Sequence, residues 1–194
     1  EYFATAMAVM LLVEDGKLEL DEKVGKYLDV PETWGEITVR HLLTHTSRLP
    51  RNVEDIDARR DYTDAEWWAR IRQAGPTSQP GERWRYSNLG YLTLGFLITK
   101  VAEKPYYDFM QERVFKPLGM KTARTISEED IVPNRAAGYR LVNGQVKNQE
   151  WVSPSMNSSP DGSFYFTIRD MVRWDAGLTA GKLVKRSSYD AMWT

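Results

Sequence analysis

The chain has 194 residues, 42% of them hydrophobic and 27% charged, with a formal net charge of −1. That balance belongs to a folded globular domain, and the near-neutral charge leaves no electrostatic footprint for nucleic acid or an anionic membrane. There is no cysteine, which removes disulfides, thiolate metal sites and a cysteine nucleophile.

Residues 3–15, FATAMAVMLLVED, predict a helix closed by Gly16 in the C-terminal capping position. Its run AMAVMLLV is too short for the roughly 18 apolar residues of a transmembrane helix. The centre of this helix is apolar on every face, the pattern of a helix enclosed on all sides. Residues 37–47, ITVRHLLTHTS, predict a short helix with Thr38 as N-cap. Thr63 and Glu66 are spaced as a capping box, so TDAEWWARIRQA reads as a helix. Residues 75–82 are a loop by their Gly, Pro and Ser content. From 88 to 103, Leu89, Leu92, Phe96, Leu97 and Val101 recur at helical spacing, with Asn88 as the expected cap. Lys104-Pro105 interrupts, and YYDFMQERVF continues as another helix up to PLGM. AAGYRLVNGQVKN predicts a hairpin turning at Asn143-Gly144. Residues 151–162 read as loop and SFYF as a short strand. Thr167 to Asp170 is a second capping box, opening TIRDMVRWDAGL, and a last short helix begins near Ser187. So little sheet cannot enclose the first helix, and the composition points to a missing layer that leaves a large apolar face of that helix uncovered.

Three constellations invite a chemical reading. His41 and His45 are four apart and on one helix would share a face, as zinc-binding pairs do. Leu42 follows the first histidine where a metalloprotease has glutamate, so structural histidines bonded to loop backbone are favoured over metal. The carboxylates at Glu14-Asp15, Asp55 with Asp57, and Glu128 to Asp130 lie in polar runs beside turns and read as solvated surface. Trp67 and Trp68 cannot share a helix face, so one packs in the core and the other is partly exposed. The third constellation is Tyr86-Ser87-Asn88. Its bland reading is a capped helix with a packed aromatic. To act as a base, a tyrosine with an unperturbed pKa of about 10 needs a cation beside it. Arg85, in an extended segment, points to the opposite side.

Several segments converge on one family. LLVEDGKLELDEKVGKYL, ITVRHLLTHTSRLP, RYSNLGYLTLGFLITKVAEKPYYDFMQERVFKPLGMKTA and DGSFYFTIRDMVRWDAGL resemble, in order, the serine β-lactamase-like superfamily. That group contains penicillin-binding proteins, class C β-lactamases and related esterases. The resemblance implies an α+β fold, present here mainly as its helical lobe with little of the antiparallel sheet. It implies acyl transfer from an ester, amide or lactam through a serine acyl-enzyme, with a small-molecule or peptide substrate. It implies no cofactor and no metal, and its members commonly act outside the cytoplasm. Of the family's motifs, Tyr86 and Asn88 match Tyr-x-Asn, and Ser87 is the spacer rather than the nucleophile. Tyr86 would move the proton and Asn88 would orient substrate.

The other two motifs are not in the sequence. No Ser-x-x-Lys occurs, and neither His-x-Gly nor Lys-Thr-Gly occurs, since Ala123 follows Lys121-Thr122. Matching the first helix to the family's buried central helix without gaps places the motif lysine at about Tyr2 and the serine before Glu1, and a slip of a residue or two places both upstream. Two explanations compete: residues 1–194 are an internal part of a longer serine hydrolase domain, or they form a pseudoenzyme or binding module on the same scaffold. The open helix start and the sparse sheet favour the first. A last departure is Arg48, where the family's HTSGLP has glycine. If that position needs positive φ, arginine costs about 1 kcal/mol.

Overall fold

The computed structural model describes residues 2–127 and 129–193. The described residues contain eight α-helices: α1 (Tyr2–Glu14), α2 (Val39–Leu43), α3 (Asp64–Gln73), α4 (Asn88–Ala102), α5 (Tyr106–Met110), α6 (Lys116–Leu118), α7 (Ile168–Thr179) and α8 (Arg186–Trp193). Strands β1 (Tyr139–Val142) and β2 (Gln145–Asn148) pair as an antiparallel hairpin, Tyr139 opposite Asn148. Asn143 and Gly144 both take positive φ at its tip, 49° and 77°, the type I′ geometry that the Asn-Gly pair predicts.

The core is built around α1. Met7, Ala8, Val9 and Leu12 have no exposed surface, because α4, α5 and a π-helical turn at Gln111–Phe115 pack against the helix. From the other end, Glu14 Oε1 accepts from the Lys185 amide at 2.6 Å and the Ser188 hydroxyl at 2.5 Å, tying α1 to the start of α8. The expected large uncovered face on α1 is therefore not found: of its residues, only Phe3 is exposed. The uncovered apolar surface lies elsewhere, on α7 and the hairpin.

Local sequence accounts for most boundaries. Thr63 and Glu66 form the expected reciprocal capping box of α3. On that helix Trp67 is buried and Trp68 half-buried, its ring set edge-on to Trp34. Three boundaries differ from the sequence expectation. Helix α2 stops at Leu43, since His45 turns left-handed at φ 57°. Helix α4 is capped by Ser87, whose hydroxyl accepts from the Gly90 amide at 3.0 Å, and Asn88 is its first residue. YYDFMQERVF is broken, because the Lys116 amide bonds back five residues to Gln111 and opens a π turn. At α7, Thr167 caps Asp170, but the Asp170 carboxylate turns away from the box and accepts from the Thr122 amide at 2.8 Å. SFYF forms no strand; Tyr165 makes a single antiparallel bridge with Arg124.

Candidate active site

The segment Trp84 to Asn88 runs extended against the loop after α2. The Arg85 amide donates to the His45 carbonyl at 2.7 Å, and the Ser87 amide donates to His45 Nδ1 at 3.2 Å. Two residues on, the Arg51 carbonyl accepts from the amides of Asn88 and Leu89 at 2.8 and 3.3 Å. The His-Thr-Ser-Arg-Leu-Pro-Arg loop thus fixes the start of α4, and with it the orientation of Tyr86 and Asn88.

Ser87 is buried and fully engaged. Its hydroxyl donates to the Pro50 carbonyl at 2.7 Å while capping α4. Both bonds of this hydroxyl are structural, one to the loop after α2 and one capping α4.

Tyr86 and Asn88 are both half-buried and reach the same neighbour from different sides. The Tyr2 hydroxyl donates to Asn88 Oδ1 and lies against the Tyr86 hydroxyl. Asn88 Nδ2 donates onward to Asn52 Oδ1 at 2.7 Å. The Tyr86 ring stacks on His45, centroids 4.8 Å apart, and the Arg51 guanidinium lies over the Tyr86 ring, 5.1 Å from its centroid. The cation beside the ring is therefore Arg51, while the Arg85 guanidinium bonds Thr77 at 3.0 Å on the outside. Tyr91 closes the cluster from below, its ring 3.9 Å from Tyr2 and its hydroxyl donating to the Leu43 carbonyl at 3.0 Å.

Burial sets the protonation of this cluster. It pushes the Tyr2 hydroxyl well above the ordinary phenol range, and the bond with Tyr86 adds to the shift. Burial likewise pushes Tyr91 up to about 12. It holds the His45 imidazole below its ordinary value. Protonating Nδ1 would also forfeit the bond from the Ser87 amide. From Tyr2 through Asn88 to Asn52 the site is a chain of hydrogen-bonding groups: phenol, carboxamide, carboxamide. It can pass a proton between hydroxyls and present an amide to a polar substrate.

The two histidines separate. His41 Nδ1 accepts from the Thr38 amide at 3.3 Å in the cap of α2, and His45 lies beyond the helix end with its Nδ1 on Ser87. They share no helix face, and each serves loop backbone. Among the described residues no three histidine, aspartate or glutamate side chains gather as a metal site.

Sequence reading missed Tyr2, His45, Arg51 and Asn52 as members of the cluster. The signal available for Tyr2 was its count from Gly16, which set it level with the family's lysine. The other three lie in or beside the loop carrying HTS-x-LP.

The putative penicillin-binding protein PbpX of Bacillus subtilis is 31% identical over 97% of this chain and 47% of its own length. A carboxypeptidase/endopeptidase acting on D-alanyl-D-alanine, AmpH of Escherichia coli, is 28% identical over 95% of the chain and 48% of its own. The chain spans about half the length of the curated relatives it matches. Among solved structures, a penicillin-binding protein from Bacillus halodurans superposes with a TM-score of 0.88 at 25% identity, covering 100% of this chain and 62% of that one. A D-amino acid amidase from Ochrobactrum anthropi gives 0.81 at 28% identity, covering 99% and 56%. The model of the Beta-lactamase family matches residues 3–194, and the chain belongs to that family.

Proposed function

We propose that the protein of which these residues form part is a serine hydrolase that transfers an acyl group from an amide, ester or lactam. The observation that carries this reading is the meeting of Tyr86 and Asn88 at the open end of a buried α1, through Tyr2. In a Ser-x-x-Lys family that end of the helix is where nucleophile and lysine stand. No Ser-x-x-Lys occurs in the sequence, and the chain covers 47% of its relative PbpX. We accordingly place the serine, its lysine and the third motif outside residues 1–194, with Tyr86 and Asn88 as the middle element of a three-part site.

The serine oxygen attacks the substrate carbonyl and loses its proton to Tyr86 or the lysine. That proton passes to the departing amine, alcohol or ring nitrogen as the carbonyl re-forms. Water then cleaves the acyl-serine by the same route in reverse. Asn88 holds a polar group of the substrate through its carboxamide, and Asn52 fixes its orientation. The relatives named as carboxypeptidase/endopeptidase and amidase favour an amide as the scissile bond.

The test uses the full-length protein. A fluorophosphonate or penicillin probe should label one serine, located by mass spectrometry. Tyr86→Phe should lower turnover by about 10²–10⁴-fold, the range for losing a positioned proton-transfer group, with melting unchanged. An unlabelled wild-type protein would instead support the binding-module reading, and wild-type rates in Tyr86→Phe would remove Tyr86 from the reaction.

A further inference from the structure

A cavity of about 230 Å³ opens directly behind Asn88. It is lined by polar Asn52, Asn88, Ser159 and Asp161 and by apolar residues that include Ile56 and Trp67. Asp161 is an acidic residue in the loop between the hairpin and α7, and the reaction proposed above makes no use of it.

The Asp161 loop is built rather than loose. Thr5 of the buried helix donates to the Pro160 carbonyl at 3.1 Å. Ser163, itself buried, donates to the Ser159 carbonyl at 2.5 Å. The Ser159 hydroxyl donates to Asp161 Oδ1 at 2.6 Å and so fixes the carboxylate in the cavity wall. Asp161 also lies close enough to Tyr2 to act electrostatically on its hydroxyl, which places it beside the Tyr2–Asn88 pair. Burial pushes the Asp161 carboxyl up, and among the described residues no lysine or arginine forms an ion pair with it. A half-buried carboxylate with a hydroxyl but no cation is a group whose charge is incompletely compensated.

We propose that Asp161 is a specificity-determining residue that receives the free ammonium group of the substrate, with an apolar side chain of the same substrate resting against Trp67. The ligand class is an amide or ester of an apolar amino acid with an unblocked amine. The identification of this ligand as a substrate rests on the hydrolase reading; the ammonium site itself rests on the cavity. An ammonium beside Asp161 supplies the missing counter-charge, forms a charge-assisted hydrogen bond, and leaves the carbonyl end of the ligand toward Asn88.

The experiment is calorimetric titration of the full-length protein with phenylalaninamide, in both enantiomers, and with N-acetylphenylalaninamide. The free amine should bind about tenfold tighter or more than the acetylated form, in at least one enantiomer. Asp161→Asn, which keeps size and the Ser159 bond, should abolish that preference while leaving binding of the acetylated ligand unchanged. Equal binding of the two ligands to wild type overturns the proposal, as does a preference that survives in Asp161→Asn. The wild-type comparison decides the matter even if the variant misfolds. Serine labelling of the same preparation keeps the two readings apart. Labelling without amine preference sinks the ammonium site and keeps the hydrolase; amine preference without labelling does the opposite.

Discussion

At the scale of single residues, the loop from His45 to Arg51 carries two left-handed positions that are not glycine. Arg48 has φ 66° and His45 φ 57°. For Arg48 the left-handed backbone costs about 1–2 kcal/mol. Its offsetting contact is a 2.6 Å bond from Nε to the exposed Ser78 hydroxyl, a type worth about 0.5–1 kcal/mol net. The Arg48 carbonyl bonds to Thr77 are backbone acceptors and survive substitution. Arg48→Gly should therefore raise stability, by about 1 kcal/mol or somewhat less, seen as a higher urea midpoint at unchanged slope. A lower midpoint would mean that the Ser78 bond outweighs the strain. His45 makes a pH prediction. Its folded-state pKa is held below the ordinary value of about 6.5, by burial first. The unfolded chain then binds more protons than the folded one between those two pKa values, so stability rises with pH across that window. The contribution is complete above about pH 6.5 and is lost as pH falls toward the folded value. His45→Asn, chosen because asparagine tolerates positive φ, should flatten this slope in denaturation curves between pH 7 and 5. An unchanged slope would place the titration elsewhere.

At the scale of elements, α1, α4 and the loop bearing Asp161 form one assembly. Thr5 of α1 bonds the Pro160 carbonyl, and Gly95 of α4 gives Pro160 its room. A β-carbon at Gly95 would stand 2.0 Å from Pro160 Cγ, a distance no packing tolerates. Gly95→Ala gains helix propensity of about 1 kcal/mol, but the clash forces the loop off α4 at a cost of about 1–3 kcal/mol. The expected result is a lower melting temperature together with faster proteolysis at residues 151–162. Wild-type proteolysis of that loop would show that Pro160 yields without displacing it. The same assembly shows what sequence could and could not reveal. The all-round apolar run of α1, the capping box at Thr63 and the Asn-Gly hairpin declare themselves within a few residues, because cap, turn and periodicity are local. The end of α2 did not, since a left-handed histidine leaves no compositional mark. Nor did the cap of α4, where Ser87 and Asn88 are both good caps and only the Pro50 carbonyl decides between them. In the site, Tyr86 and Asn88 were legible as a motif. Tyr2 was not, because its bond to Asn88 spans 86 positions and is created by packing alone.

At the scale of the whole molecule, the question is where unburied apolar surface collects. Sparse sheet predicted that α1 would be left open, yet α4, α5 and the π turn enclose it. The reason is that α1 is apolar on all sides, so each neighbour gains by packing on it. The surface left over falls on amphipathic elements instead. On α7, Ile168 is 79% and Val172 65% exposed, and Met171 lies between them on the same helical face beside exposed Phe166. On the hairpin, Tyr139, Leu141 and Val146 are also exposed. Aliphatic residues at i, i+3 and i+4 form a continuous stripe rather than scattered points, and a stripe of this kind on a surface favours association. The 194-residue chain produced by itself should bind a hydrophobic dye such as ANS and sediment partly as species larger than a monomer. Ile168→Lys with Val172→Glu should reduce both effects without lowering the melting temperature, because neither side chain supports the core. The pair is of opposite charge at i and i+4, so the substitution adds no net charge that could suppress association by repulsion alone. A monomer that binds no dye would show that the stripe is covered by some other arrangement of these residues. Association that persists in the double variant would move its origin from α7 to the hairpin.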